Sequence, residues 1–355
     1  MTAPAPKQRT IAYYPGCSQT GTAAEYDASA RACCAALGLT LVDVPDWTCC
    51  GSTPAHTLDH FLAGALAARN LLQAELAGHD RVTTPCPSCL AALRTASRHL
   101  AEAPPAEGGG PNYRAEVERL LDRPAPLRAI AVSLLQVLVE DVGLPAIAAA
   151  LKKPLTGLRV APYYGCIMNR PPGLMNFDDP ENPTALDRLL TACGATVVAF
   201  PFKTECCGAA FGMPRLDMMQ RLSARILDMA EDCGADCIVV ACPLCQMNLD
   251  LRRGQVNAFS RRQGGRDSQM PAPYFTQLLG LALGLAEADL GLDKLVLDLR
   301  PALKAAEIRA QAAREAEHIR QAAKAARKNG PKPGKPGTES CEKPDAKEDA
   351  PCASA

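Results

Sequence analysis

No stretch of this chain carries the roughly 18 or more uninterrupted apolar residues that a membrane-spanning helix needs. The best run, Leu278 to Ala286, is far shorter, so no membrane span is expected. The first ten residues, Met1 to Thr10, lack the apolar centre of a secretory signal. Net charge is absent too, because 38 basic side chains balance 38 acidic ones; that excludes a global nucleic-acid footprint, and no nucleic-acid partner is expected. A nucleotide fingerprint is also missing. The glycine run Gly108-Gly-Gly110 sits among prolines and follows a helical pattern rather than a strand, which argues against a flavin or nicotinamide site. These absences point to a reducing cytoplasm, where 17 cysteines are metal ligands or redox groups rather than a disulfide scaffold.

What is present is a cysteine pattern that occurs twice. The first set is Cys17, Cys49, Cys50, Cys86 and Cys89, and the second is Cys166, Cys206, Cys207, Cys242 and Cys245. Each consists of a lone Gly-Cys, a Cys-Cys-Gly and a Cys-Pro-x-Cys. The lone cysteine and the pair are separated by 31 residues in the first copy and 39 in the second; the pair and the last motif by 35 and 34.

The local pattern around each motif is strand, motif, helix. Residues 10 to 14 read as a strand halted by Pro15-Gly16 before Cys17, and Ala23 to Leu37 as a helix stopped at Gly38. Leu39 to Val44 is the next strand. A helix from about Leu58 to Leu76 ends before Gly78, and a strand over Arg81 to Thr84 turns into a helix from Leu90 to Ala103. Residues 104 to 112 read as a flexible loop, and helical patterns cover 113 to 122 and 127 to 141. The second half repeats the order: strand Leu158 to Tyr164, helix Thr184 to Cys193, strand Ala195 to Phe200, helix Leu216 to Cys233 stopped by Gly234, and strand Cys237 to Ala241. Ser133-Leu-Leu-Gln-Val-Leu138 even echoes Thr276-Gln-Leu-Leu-Gly-Leu281.

The predicted fold is therefore α/β, two domains over 10–150 and 157–290 with mainly parallel sheets flanked by helices. The ligand-bearing loops fall at the carboxyl ends of strands, where open sheets bind ligands. A tail over 300–355 follows. Ala305 to Lys328 is a good helix former with little apolar surface, and disorder is expected from Asn329 onward.

Helix N-termini favour thiolates, which gives Cys-Pro-x-Cys its position, and proline at an early helical position loses no needed hydrogen bond. A zinc ion or a cubane iron-sulfur cluster takes four protein ligands, whereas each set offers five and no histidine. Either one cysteine is spare or the cluster is unusual. Zinc held by four cysteines in each half is the plainer alternative. Cys33, Cys34, Cys193, Cys233 and Cys237 read as small buried hydrophobes, and Cys341 and Cys352 as free thiols of the tail.

The duplicated pattern, with Tyr13-Tyr-Pro-Gly-Cys17, Pro45-Asp-Trp-Thr-Cys-Cys-Gly51, Ala68-Arg-Asn70, Phe177-Asp-Asp-Pro-Glu-Asn-Pro183, Lys203-Thr-Glu-Cys-Cys-Gly208 and Ala241-Cys-Pro-Leu-Cys-Gln-Met-Asn-Leu249, resembles the B subunit of heterodisulfide reductase over about residues 10 to 290. The resemblance implies two pseudo-symmetric CCG domains. It implies that Cys17, Cys49, Cys50, Cys86 and Cys89 hold one noncubane [4Fe-4S] cluster and Cys166, Cys206, Cys207, Cys242 and Cys245 a second. It implies reduction or formation of a small-molecule disulfide between them, with two partners, a ferredoxin-like iron-sulfur subunit and a flavin-containing subunit. The alternative is an iron-sulfur electron-transfer subunit of a flavin-dependent oxidoreductase with no disulfide chemistry of its own. The two domains are expected to face each other. Lys203, Arg170 and His56 are candidates near the ligands for anion binding or proton supply, each with a structural role as its alternative.

Overall fold

Alternating β-branched and aromatic residues make Arg9–Tyr13 (β1) a strand whose successive side chains enter different layers: Ile11 joins one apolar cluster and Ala12 another. The structure, a computed structural model, describes residues 9–52, 54–102, 112–125 and 127–329. It separates into a unit over 1–310 and one over 311–355. Both cysteine sets lie in the first.

The first half runs β1, α1 (Gly16–Gln19), α2 (Ala24–Ala36), β2 (Leu39–Asp43), α3 (Pro54–Leu58), α4 (His60–Leu76), β3 (Arg81–Thr84), α5 (Pro87–Glu102), α6 (Tyr113–Leu121), β4 (Ile130–Ser133), α7 (Leu134–Gln136) and α8 (Leu144–Ala150). The second runs β5 (Arg159–Tyr163), α9 (Pro172–Met175), α10 (Ala185–Ala192), β6 (Thr196–Val197), α11 (Leu216–Asp232), β7 (Cys237–Val240), α12 (Pro243–Gln246), α13 (Arg253–Arg262), α14 (Phe275–Ala282) and α15 (Glu287–Leu290). The last helix, α16, covers Arg300–Asn329. The sheets have strand orders β2-β1-β3-β4 and β6-β5-β7, and every pairing between these strands is parallel. The α/β architecture with one parallel sheet per half is as the sequence implies.

Three local differences have physical causes. The helix expected from Leu58 is interrupted because Asp59 is extended and its carboxylate accepts from the amides of Phe61 and Leu62, starting α4 afresh. The helix expected over 127 to 141 begins instead as strand β4, paired with β3 from Arg81 to Thr84, before the chain turns helical at Ser133. Four apolar or small residues beside a parallel neighbour gain a ladder that local pattern does not reveal. In the second half the corresponding strand shrinks to a bridge between Val240 and Tyr274. Pro271 and Pro273 accept from Ile238 and Val240 but cannot donate.

The segment leading to that bridge is held by Arg253, which is 2% exposed and donates to the Ser268 hydroxyl at 2.8 Å and the Met270 carbonyl at 2.7 Å. Arg253→Ala leaves these buried acceptors unpaired and is expected to cost about 2 kcal/mol. An unchanged denaturation midpoint would show that the segment is held otherwise.

The halves share one apolar cluster and exchange contacts reciprocally. Helix α2 packs on α14 of the second half, while α10 packs on α7 and α8 of the first. These are the echoed segments of the sequence, each used against the opposite half. Tyr26 stacks on Tyr274 with ring centroids 4.1 Å apart, and Ser29 meets Thr276 at 2.7 Å. At its start α16 packs through buried Ala306 and Ala310, and Arg309 pairs with Asp236. In the second unit the helix continues to Asn329, with Gln311 bonded to Glu315 and Gln321 to Glu317. The disorder expected beyond Asn329, the free thiols Cys341 and Cys352, and the loop expected over 104 to 112, apart from Asn112, lie outside the described residues.

Candidate functional site

Both sets assemble at the carboxyl ends of the strands. Gly16 has φ +73°, and a Cβ there would stand 3.0 Å from the Cys89 sulfur; Gly165, at φ +74°, stands in the same relation to Cys245, also at 3.0 Å. The glycine of each Gly-Cys therefore lets the lone cysteine close onto the last cysteine of its set. The tyrosine three residues before each lone cysteine ties the strand end to the pair: Tyr14 donates to the Thr48 carbonyl and Tyr163 to the Glu205 carbonyl, each at 2.7 Å. Each of those carbonyls belongs to the residue just before a Cys-Cys pair.

Side chains from the flanking helices complete the hold. Asn70 of α4 donates to the Thr48 carbonyl, and Ser223 of α11 to that of Cys207. Asn248 also donates to the Cys207 carbonyl and lies 3.6 Å from its sulfur. The amides of Gly51 and Gly208 reach back to Cys49 and Cys206 sulfurs at 3.4 and 3.3 Å. The Cys-Pro-x-Cys motif belongs to the helix itself, since α5 and α12 begin at Pro87 and Pro243.

Within the first set Cys17 and Cys49 are exposed while Cys50, Cys86 and Cys89 are buried; in the second Cys166 and Cys206 are half-buried and Cys207, Cys242 and Cys245 buried. The sulfurs of Cys207 and Cys245 are 3.5 Å apart. Hydrogen bonds from neighbouring thiols and from backbone amides hold Cys50, Cys206 and Cys207 below the ordinary thiol range against the opposing effect of burial. Their partners Cys89, Cys166 and Cys245 are pushed up. Cys50, Cys206 and Cys207 thus supply the first thiolates. By contrast burial pushes Cys34 and Cys193 up to about 12, and Cys33 and Cys237 up as well, with Cys33 donating to the Thr276 carbonyl at 3.1 Å. Those four are packing residues, and Cys233 is half-buried beside them.

The two sets adjoin through their flanking helices. Helix α1, which carries Cys17, packs on α12, which begins at the second Cys-Pro-x-Cys; α5 of the first Cys-Pro-x-Cys packs on α9, just after Cys166. Buried Tyr26 donates to the Ala241 carbonyl and feels the charge of both Cys242 and Cys86.

These surroundings fit a multi-iron group. Among the described residues no cluster of three or more His, Cys, Asp or Glu is gathered tightly enough for a single ion. Both amide atoms of Gln19 and of Asn169 are buried and find no partner in the chain. Gln19 lies two residues after Cys17 and Asn169 three after Cys166, so unpaired amides accompany both sets. The unpartnered N–H groups of these two amides suit a group that brings its own sulfur acceptors.

Of the other candidates, Lys203 pairs with Asp187 and donates to the Pro183 carbonyl, and Arg170 donates to the Pro180 carbonyl, Glu181 and Thr204. Both are engaged in fixing the 178–187 loop. His56 lines a cavity beside Cys50 together with His60, His99 and Tyr113, three residues that the cysteine pattern did not point to. Their signal in the sequence is spacing on helices, which became informative only with the facing wall in place.

The family described as CCG, cysteine-rich domain, matches residues 11–94 and 160–250. The chain is 31% identical to the 8-methylmenaquinol:fumarate reductase membrane anchor subunit of Wolinella succinogenes, over 82% of this chain and 98% of that one. It is 29% identical to the B subunit of the ferredoxin/F(420)H(2)-dependent CoB-CoM heterodisulfide reductase of Methanosarcina acetivorans, over 80% and 92%. A hypothetical protein from Helicobacter pylori has a similar fold, with TM-score 0.64 at 15% identity over 82% of this chain. The match covers 52% of that structure, so this chain spans about half its length. Among the described residues no helix is long and apolar enough to cross a membrane.

Proposed function

The chain belongs to the family of cysteine-rich CCG-domain proteins that includes the B subunit of heterodisulfide reductase, and on that premise we propose that it is the catalytic iron-sulfur subunit of a heterodisulfide-reductase-like complex. The observation that carries the reading is the reciprocal packing of the two sets, with α1 on α12 and α5 on α9. In this reading the net reaction converts one disulfide, two electrons and two protons into two thiols, or runs in reverse.

Cys17, Cys49, Cys50, Cys86 and Cys89 would hold one [4Fe-4S] group, and Cys166, Cys206, Cys207, Cys242 and Cys245 the other, each of noncubane type. When bound, such groups supply single electrons and iron sites with affinity for sulfur. The chain's own residues do the rest. Tyr14 and Tyr163 anchor the pairs, Gly16 and Gly165 let each set close, and buried Gln19 and Asn169 offer amide donors to sulfur. Electrons would come from two partners in the cytoplasm, a ferredoxin-like iron-sulfur subunit and a flavin-containing subunit.

Anaerobic isolation is expected to yield about eight iron and about eight acid-labile sulfide per chain, two four-iron groups. Stoichiometric zinc without sulfide would replace this reading with a structural one. The Wolinella relative, named as part of a fumarate reductase, favours a second reading, an iron-sulfur electron-transfer subunit without disulfide chemistry. A low-temperature magnetic signal that changes on adding thiols supports the first; an unresponsive signal supports the second.

A further inference from the structure

Reducing a disulfide takes up protons as well as electrons, and the two halves differ in the groups that could carry them. Four of the chain's five histidines lie in the first half, and none stands between His99 and His318. The second set has a buried acid instead, at a place where the repeat is broken. Five residues after the last cysteine of each set stand Arg94 and Asp250, and two residues before the echoed Ser133 and Thr276 stand Ala131 and Tyr274. In the first half the Arg94 guanidinium donates to the Ala131 carbonyl at 2.8 Å. In the second, Asp250 and Tyr274 are both 0% exposed, and one carboxylate oxygen of Asp250 and the hydroxyl of Tyr274 have no partner in the chain.

A third member comes from the opposite half. Glu25, in the first turn of α2, is buried and lines a surface cavity of about 800 Å³ together with Leu251, the neighbour of Asp250. Gly291 lets the chain close on it, since a Cβ there would stand 2.5 Å from the Glu25 Cβ. The cations of the cavity rim are engaged elsewhere: Lys294 pairs with Asp293, and Arg300 with Glu287 and Asp298. On the buried side, Asp250 accepts from Gln246 at 3.1 Å and from the Val296 amide at 2.8 Å through one oxygen. Arg253 donates to Ser268 and Met270 rather than to Asp250. Burial pushes both carboxyls above the ordinary carboxylate range, and the charge of Asp250 raises Glu25 further, against the opposing pull of Lys294 on Glu25 and of Arg253 on Asp250. The Tyr274 hydroxyl, pushed up by its own burial, senses Glu25, Cys242 and Asp250. Its ring stacks on Tyr26, whose hydroxyl donates to the carbonyl of Ala241, the residue before Cys242.

We propose that Glu25, Asp250 and the Tyr274 hydroxyl form a proton inlet from this cavity to the second cysteine set, an inference that rests on the disulfide chemistry proposed above. Glu25 meets solvent on one side and the buried acid on the other. It gives its proton to the Tyr274 hydroxyl, which releases another as it accepts and is not itself ionised. The released proton ends on the product sulfur at the second set, turning a thiolate into a thiol, and Glu25 stays a carboxylate until solvent in the cavity restores its proton. This supplies one of the two protons of each turnover, while the electrons are those of the partner subunits. Asp250 is a positioning residue. Two interacting buried carboxyls resist ionising together, so its presence keeps a proton on the pair above the ordinary carboxylate range.

The test uses the full chain isolated anaerobically and two readouts. Infrared spectroscopy follows the carbonyl band of a protonated carboxyl as pH is raised, and turnover is measured with reduced methyl viologen and the disulfide of 2-mercaptoethanol. The intact chain is expected to keep a protonated carboxyl after ordinary carboxylates have ionised, and Glu25→Gln to remove that band. Because the protonated form is the donor, turnover should fall as pH rises through the same titration. Glu25→Gln should lower turnover on the order of 100-fold and abolish that fall. Tyr274→Phe, which deletes a hydroxyl without a partner, should keep the band, the denaturation midpoint and the iron and sulfide counts, yet lose turnover to a similar extent. Asp289→Asn, on the exposed side of α15, should keep band and turnover. No band in the intact chain, wild-type turnover in Glu25→Gln or Tyr274→Phe, or loss of iron in Tyr274→Phe would overturn the inlet. Iron-loaded chain that shows the band but reduces no disulfide overturns the disulfide chemistry and leaves the proton-holding pair standing.

Discussion

Cys245→Ala is expected to halve the iron and acid-labile sulfide of the chain and to lower disulfide turnover by at least ~100-fold, beyond the 10–100-fold typical of losing an outer partner of a metal ligand. Cys245 sits where its set converges. It is 5% exposed, its sulfur is 3.5 Å from that of Cys207, and Gly165 has no Cβ because that sulfur occupies the space. Removing the sulfur leaves Cys207 without the hydrogen bond that stabilises its thiolate. The first set keeps its own five cysteines and its own anchor at Tyr14, so half of the metal should remain. Cys89→Ala should give the mirror result. Retention of all the iron in either variant would show that these cysteines are not ligands, and loss of all of it would show that the two sets do not load independently.

Gly208→Ala should strongly destabilise the chain, although Gly208 is not a proposed ligand. Its φ is +80°, and an added Cβ would stand 2.8 Å from the Cα of Met219 on α11. The left-handed backbone and the collision with helix backbone together are expected to cost about 3 kcal/mol, or roughly 4–6 °C in Tm for a unit of this size. Gly51→Ala repeats the situation, with Ala63 backbone at 2.9 Å. Gly78 is the control, since φ is +84° with nothing within 4 Å of the added carbon. Gly78→Ala should cost only the conformational part, about 1 kcal/mol. If Gly208→Ala and Gly78→Ala are equally mild, the Cys-Cys-Gly glycine is there for its dihedral angle and close helix approach is irrelevant.

The same geometry explains why each Cys-Cys-Gly is followed by a long helix. Helix α4 or α11 rests on the glycine and sends Asn70 or Ser223 back to the loop carrying the pair. Substituting Asn70 or Ser223 would loosen that loop, whereas substituting Gly208 pushes the helix itself away.

Much of this was legible in the sequence because it is local. The ten cysteines stand at strand ends and helix starts, and strand-stopping glycines, Cys-Pro-x-Cys and apolar runs such as Cys237–Val240 mark those places without help from distant residues. Helices end at Gly38, Gly78, Gly194 and Gly234, all with positive φ. Strand β4 was not legible, because Ile-Ala-Val-Ser is short enough to be helix or strand until Arg81–Thr84 lies beside it. Nor was the loss of its counterpart, which follows from prolines meeting a ladder that needs donors.

The sequence by itself determined at which turns and helix starts the repeated cysteines stand, since such local features depend on neighbours a few positions away. Only the tertiary structure decided that the two sets adjoin, through α1 on α12 and α5 on α9, and that a histidine-lined cavity lies beside Cys50. Those outcomes depend on matching volumes between segments far apart in the chain. An alanine on a helix face becomes either packing or empty space only when the opposite wall arrives.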